Sequence, residues 1–216
     1  MKVIAFNGSP RVDGNTSILV NTVFEVLKEE EIETELINVG VKPVRGCVAC
    51  GKCWERKDGH CAISNDFVNE CLDKMVEADG IILASPVYCA DLSGQMKSFI
   101  DRTSMVACSN DDMLKRKLGA AIVAVRRSGE VHTFHSLNSF FTISQMVIVG
   151  SSYWNNGFGL LKGDVARDEE GLNTMKNLAR NMAWLLKSIK KADLPEPTST
   201  YLDEYLSLTS VKPGFC

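Results

Sequence analysis

The sequence predicts an α/β fold: a parallel sheet of five strands in the order 2-1-3-4-5, with helices on both faces. Three observations predict it. Lys2–Phe6, Gly80–Ser85 and Leu118–Val125 are short apolar runs without a period of two, as in strands buried on both faces. Segments with helical spacing separate these runs, so strands and helices alternate along the chain. The turn after the first run, from Gly8 to Ser17, is rich in glycine and hydroxyl groups and leads straight into a helix. Open parallel sheets bind their ligands at such strand-to-helix turns, at the carboxyl ends of the strands.

Lys2–Phe6 ends at Asn7-Gly8 and makes the first strand. Asn15 or Thr16 is expected to cap a helix running to about Glu30, with Ile18, Leu19, Thr22, Val23, Val26 and Leu27 on one face. Glu33–Asn38 makes the second strand. Lys42–Asn65 carries Pro43, three glycines and four cysteines and is expected to be an irregular loop. Asn65 or Asp66 caps a helix that reaches Ala78. Gly80–Ser85 is the third strand, Leu92–Ser104 a helix, and Leu118–Val125 the fourth strand. A helix near Thr133–Ile143 precedes a short fifth strand, Met146–Val149. Gly150–Asp168 is a loop rich in glycine and aromatic residues, and Glu169–Lys191 is the last long helix. Residues 1–192 are expected to form one unit, with a cysteine-rich loop over residues 43–65 and a tail over 193–216. Leu202, Tyr205, Leu206 and Leu208 of that tail have no identifiable partner within the chain.

A chain of 216 residues with 45% hydrophobic content can bury one sizeable core. Its net charge is −3 and it has no basic block, which argues against a nucleic-acid partner. No stretch approaches the roughly 20 apolar residues that cross a bilayer. The apolar run at the N-terminus is too short for a signal-peptide core. A soluble, cytoplasmic protein is expected, with no membrane partner. Of eight cysteines, Cys47, Cys50, Cys53 and Cys61 fall within 15 residues. In such a protein this crowding suggests metal or redox chemistry over a disulfide framework.

The segment Gly8-Ser9-Pro10-Arg11-Val12-Asp13-Gly14-Asn15-Thr16-Ser17 suits a phosphate. Glycines let the backbone approach an anion, and the first-turn N–H groups and the helix dipole favour negative charge there. Arg11 can add a charge-assisted bond. The pattern is neither Gly-x-Gly-x-x-Gly nor a Walker loop. The competing reading is an ordinary polar turn with a Ser/Thr cap.

The chain resembles the NADPH-dependent FMN reductase family, within the flavodoxin-like superfamily. The residues that carry the resemblance are Asn7-Gly8-Ser9-Pro10-Arg11 with Gly14-Asn15-Thr16-Ser17, and Ser85-Pro86-Val87-Tyr88 followed by Gln95-Met96-Lys97 and Ile100-Asp101-Arg102. The resemblance implies FMN phosphate contacts at Ser9, Arg11, Asn15, Thr16 and Ser17, and a ring-binding loop at Pro86, Val87 and Tyr88. It also places the third loop, Arg126-Arg127-Ser128-Gly129, on the pyrimidine side of the flavin, where Arg126 would stabilise the anionic reduced ring. Tyr88 is suited to stack on a flat ring, although a half-buried loop aromatic is the plainer alternative. Asp101 and Arg102 read as a helix-end charge pair.

Cys47-x-x-Cys50-x-x-Cys53 followed by Cys61 resembles the compact motif of iron–sulfur flavoproteins, a branch of the same family. The resemblance implies a [4Fe–4S] cluster on these four residues. A structural zinc site usually splits its ligands into two distant knuckles, so the spacing favours a cubane; zinc and free thiols remain open. The seven-residue gap before Cys61 is at the long end of the motif's range. Cys71 reads as a small core hydrophobe. Cys89 follows Tyr88, and Cys108 and Cys216 have no assigned role. His60 reads as solvated, and His132 and His135 have no identifiable partner carboxylate.

The function implied is that of an FMN-dependent oxidoreductase passing electrons from NAD(P)H to a flavin, a quinone or another small acceptor. No catalytic side chain is expected, because the flavin carries the chemistry. The alternatives are an electron carrier that takes electrons from a ferredoxin-like donor through the cluster, and a flavin-binding protein without turnover. Tyr153, Trp154, Phe158, Leu160 and Leu161 would form an apolar patch if exposed, which points to a homodimer or homotetramer.

Overall fold

The computed structural model describes residues 1–195 and 197. The tail residues named above, from Leu202 to Cys216, lie outside the described residues. The strands are β1 (Lys2–Asn7), β2 (Glu33–Asn38), β3 (Gly80–Pro86), β4 (Leu118–Val125), β5 (Val147–Ile148) and β6 (Asn156–Phe158). The helices are α1 (Asn15–Glu29), α2 (Lys52–Arg56), α3 (Val68–Glu77), α4 (Gly94–Ser109), α5 (Glu130–Ile143) and α6 (Glu169–Ala192).

The sheet is parallel throughout, in the order β2-β1-β3-β4-β5, with β6 also paired to β4. The predicted order therefore holds, but two short strands share its fifth position. β5 pairs with Leu118 and Gly119 at the start of β4, and β6 with Val123–Val125 at its end. β6 falls within Gly150–Asp168, where the sequence predicts a loop. Its residues Asn156-Gly157-Phe158 carry no apolar run, and an added Cβ at Gly157 would stand 2.6 Å from Leu19 Cδ2 of α1. The close approach of α1 selects glycine there, at the expense of strand propensity.

Strand side chains alternate between two cores. Val3 and Ala5 of β1 meet Leu19, Val23 and Leu27 of α1 and Leu178 and Met182 of α6. Ile4 and Phe6 meet Leu72 and Met75 of α3, Phe99 of α4 and Phe140 of α5. Each fully buried side chain of this size contributes about 1.5–3 kcal/mol relative to exposure. Cys71 belongs to the second core, and burial, with Glu70 adding to it, pushes its thiol up to about 12. It stays a neutral hydrophobe, as its place on the helix predicts.

The helix ends depart from expectation. Gly14, not Asn15 or Thr16, is the N-cap of α1, and no side chain caps it. Phe67 holds the cap position of α3, although Asp66 Oδ1 does accept from the Val68 N–H at 3.2 Å. α4 starts two residues late, at Gly94, because Ser93 caps it by accepting from Met96 N, and it runs on to Ser109. The cysteine loop holds one short helix, α2, whose five residues are too few to show a period. Among the described residues no helix is long and apolar enough to cross a membrane.

Candidate functional site

The register of β1, β3 and β4 brings three loops to one edge of the sheet. Asn7, at the end of β1, organises the first. Its Oδ1 accepts from Ser9 N at 2.9 Å, and its Nδ2 donates to Ser17 Oγ at 2.9 Å and to Asn38 Oδ1 at 3.0 Å. Ser9 Oγ accepts from Arg11 N at 3.1 Å, and Ser17 Oγ donates to the Val12 carbonyl. The Ser9 and Ser17 hydroxyls thus shape the loop from within. The N–H groups of Asn15, Thr16 and Ser17 are left without hydrogen bonds among the described residues. Uncapped first-turn amides beside an exposed Arg11 form a cradle for a doubly charged anion. The residues present fit an FMN phosphate on that ground.

Asn15 anchors rather than caps. Its Nδ2 donates to the Leu161 carbonyl at 3.0 Å, and its Oδ1 accepts from Gly163 N at 2.9 Å. These bonds bring Lys162 to Asp13, where its ammonium, hydrogen-bonded at 2.5 Å, holds the carboxyl below the usual carboxylate range. Sequence reasoning gave Lys162 no role, since a lone lysine 149 residues from Asp13 carries no local signal.

Two further residues that sequence reasoning missed set the loop's position. An added Cβ at Gly40 would meet Gly8 O, Ser9 C and Ser9 O, each at 2.4 Å, so the chain after β2 lies flat beneath the phosphate loop. Buried Ser93 donates its Oγ hydrogen to the Gly8 carbonyl at 2.8 Å, and its N–H donates to Ser85 Oγ at 3.0 Å. It locks the first loop to the second. A glycine soon after a strand and a serine heading a helix were both visible in the sequence as ordinary turn and cap signals.

The second loop leaves β3 through Pro86. Tyr88 and Asp91 exchange backbone bonds of 2.7 and 3.1 Å around Cys89 and Ala90, which take φ of 46° and 70°. This is the mirror-image turn that glycine or asparagine usually fills. Two side-chain-bearing residues in left-handed geometry store on the order of 1 kcal/mol each. Tyr88 is 42% exposed. In the third loop Arg126, Arg127 and Ser128 are exposed, and Gly129 caps α5 with φ of 96°. His132 does have a carboxylate neighbour: its Nε2, on the first turn of α5, lies 3.5 Å from Asp91 Oδ2 of the second loop.

The cysteine loop divides into two halves. Cys47 and Cys50 are exposed, and Cys53 and Cys61 are half-buried against the second core. Ala49 N donates to Cys47 Sγ at 3.4 Å. Left-handed residues, Ala49 and Gly51, follow the first two cysteines and turn the chain back on itself. The Cys61 half is held: Asn69 brackets its backbone with bonds of 2.8 and 3.0 Å, and Asn110 accepts from Gly59 N at 2.8 Å. His60, expected to be solvated, bonds Asp73 at 2.7 Å. Among the described residues no group of three or more His, Cys, Asp or Glu side chains converges to hold a metal ion. The fit to a [4Fe–4S] cluster therefore rests on the donor chemistry of four thiols, the amide on Cys47 and the unpartnered buried Nε of Arg102.

Arg102 departs most from expectation. It does not pair with Asp101, which bonds Lys97 instead. The Arg102 side chain is fully buried and forms its ion pair with Asp66.

Residues 1–160 match the NADPH-dependent FMN reductase family. The chain is 40% identical to an iron–sulfur flavoprotein of Methanocaldococcus jannaschii, over 88% of this chain and 100% of the relative. It is 33% identical to an iron–sulfur flavoprotein of Methanosarcina thermophila, over 88% and 98% of the two chains. The fold superposes on that of RosB, solved with 8-demethyl-8-formylriboflavin-5'-phosphate, with a TM-score of 0.74, covering 100% of this chain and 90% of the other at 14% identity.

Proposed function

Because the chain belongs to the NADPH-dependent FMN reductase family, in its iron–sulfur flavoprotein branch, we propose that it passes electrons between a [4Fe–4S] cluster on Cys47, Cys50, Cys53 and Cys61 and FMN at the carboxyl edge of the sheet. Family membership supports the broader statement directly: an FMN-dependent oxidoreductase or electron carrier. One observation carries the finer reading. The segment that leaves Gly40, beneath the phosphate loop, follows Gly94, Gln95 and Ser98 of α4 and runs on into Cys47. The thiol loop is thus a direct extension of the flavin cradle.

Bound FMN supplies a ring that accepts electrons singly or as a hydride, and so joins one-electron to two-electron partners. The chain's own residues bind and orient it. The amides of Asn15, Thr16 and Ser17 hold the phosphate, with Arg11 adding charge. Pro86 and Val87 would border the ring, and the exposed Tyr88 would offer it a stacking partner. Arg126, with Ser128 and Gly129 beside it, is the cation for the pyrimidine side. The donor is a ferredoxin-like protein, and the acceptor a flavin, quinone or other small molecule.

The exposed Arg126-Arg127 pair favours a second reading, in which NAD(P)H docks its phosphates there and delivers a hydride to the ring. Anaerobic purification separates the two. About 4 Fe and matching sulfide per chain, with a broad shoulder beside the flavin bands, is expected for the cluster. Iron-free protein whose flavin bleaches rapidly with NADPH would refute the cluster and support the second reading.

Self-association is part of the proposal. Tyr153, Trp154, Phe158, Leu160 and Leu161 are each at least 43% exposed, and the Tyr153 and Trp154 rings meet edge to face at 4.7 Å. An exposed apolar loop of this kind marks an interface, here between copies in a homodimer or homotetramer. Trp154→Asp is expected to reduce the particle mass by light scattering and to speed FMN loss on dilution. An unchanged mass and flavin content would exclude this face as the interface.

A further inference from the structure

Arg102 ties together the two ends of the cysteine loop. Its Nη1 donates to the Arg45 carbonyl at 3.4 Å, just before Cys47, and to the Asp66 carboxylate. Its Nη2 donates to the Ile63 carbonyl at 2.7 Å, just after Cys61. The side chain is 0% exposed and Asp66 only 11%. A buried guanidinium is expensive unless each donor is used and the charge is paired. The charge is paired with Asp66, Nη1 makes two bonds and Nη2 one, whereas Nε is buried with no hydrogen-bond partner among the described residues. The Ile63 carbonyl that Nη2 holds lies two residues beyond Cys61, so the clamp closes on the segment that carries the Cys61 sulfur.

We propose that Arg102 is the positioning residue of the cluster's Cys61 corner, clamping both ends of the loop and holding a buried positive charge at that corner. The proposal rests on the iron–sulfur reading above. Two consequences follow. The clamp sets the loop for cluster assembly, because bonds one layer beyond the ligands fix ligand orientation. The buried positive charge also favours the more negative, reduced cluster and raises its reduction potential. Asp66 partly offsets that charge, so the two residues act on the potential in opposite directions.

The opposition gives a test that a merely structural clamp cannot pass. Arg102→Lys, Arg102→Gln and Asp66→Asn are reconstituted anaerobically with iron and sulfide beside the parent. FMN content and the flavin midpoint potential report on the fold. Arg102→Gln is expected to weaken iron retention against a chelator about tenfold and to lower the cluster's midpoint potential, with Arg102→Lys in between. Asp66→Asn is expected to raise that potential, since the arginine then stands without its counter-charge. Hydrogen exchange of residues 59–65 in the cluster-free chain should quicken in both Arg102 variants while β1 and β3 keep their protection. Potentials that stay at the parent value, or move the same way in all three variants, would overturn the proposal. A parent that takes up no iron would instead overturn the iron–sulfur reading, and this proposal with it.

Discussion

Replacing Gly40 with alanine is expected to strip the protein of most of its FMN while the sheet stays folded. The new Cβ would stand 2.4 Å from three backbone atoms, Gly8 O, Ser9 C and Ser9 O. Backbone has no rotamer to escape into, so the phosphate loop or the chain after β2 must move by about 1 Å to restore contact distance. Such overpacking typically destabilises by about 1–3 kcal/mol. The loop that must yield carries the phosphate, and its own ties resist: Asn7 fixes it from β1 and Ser93 holds the Gly8 carbonyl. Displacing one charge-assisted amide bond is worth about 1.5–3 kcal/mol, so FMN affinity should fall about tenfold to a hundredfold. Gly150→Ala is the control, because nothing lies within 4 Å of its added Cβ. Fluorescence titration of FMN onto the two apoproteins measures the difference. Equal affinities would show that the phosphate does not sit in the Gly8–Ser17 loop.

Legibility in the sequence followed the range of the interactions involved. β4 was readable to the residue because a strand buried on both faces must be an apolar run, whereas β2, a half-buried edge strand reading Glu-Thr-Glu-Leu-Ile-Asn, was bounded by the end of α1 before it and Gly40 after it. The phosphate loop was readable because glycine, hydroxyl groups and a following helix are all local. What the loop is built on was not. Gly40, Ser93 and Lys162 reach it from three other segments, and their spacing along the chain says nothing of that meeting. Arg102 is the instructive middle case. It lies three residues after Phe99 and four before Val106, both buried on the same face of α4. A charged residue at core spacing on an amphipathic helix is a signal, but pairing it with Asp101 hid it. The physical rule would have asked where a buried guanidinium finds its carboxylate, and the answer, Asp66, lies 36 residues away. β6 failed for the opposite reason: a glycine demanded by packing removed the apolar pattern that marks a strand.

Substituting Cys50 with alanine is expected to remove the cluster and leave the flavin. Cys50 is exposed and is free of disulfide bonds, so its loss should change stability by no more than about 0.5 kcal/mol. Any fall in iron is then the loss of a ligand rather than of the fold. A [4Fe–4S] cluster needs one thiolate at each corner, and the surrounding residues offer no ready substitute. His60, the one histidine in the loop, has its Nε2 engaged by Asp73. Iron should therefore drop from about 4 per chain to a small fraction of that, with FMN remaining near one per chain. Cys108→Ala, on α4 outside the loop, should keep both. The variant also separates the two routes into the flavin. If electrons enter through the cluster, reduced ferredoxin should no longer reduce the FMN of Cys50→Ala, while a chemical reductant such as dithionite still does. If they enter as hydride, NADPH should bleach variant and parent at the same rate. Iron at the parent level in Cys50→Ala would remove that cysteine from the ligand set. One zinc per chain in the parent, lost in the variant, would assign the same loop to the other metal.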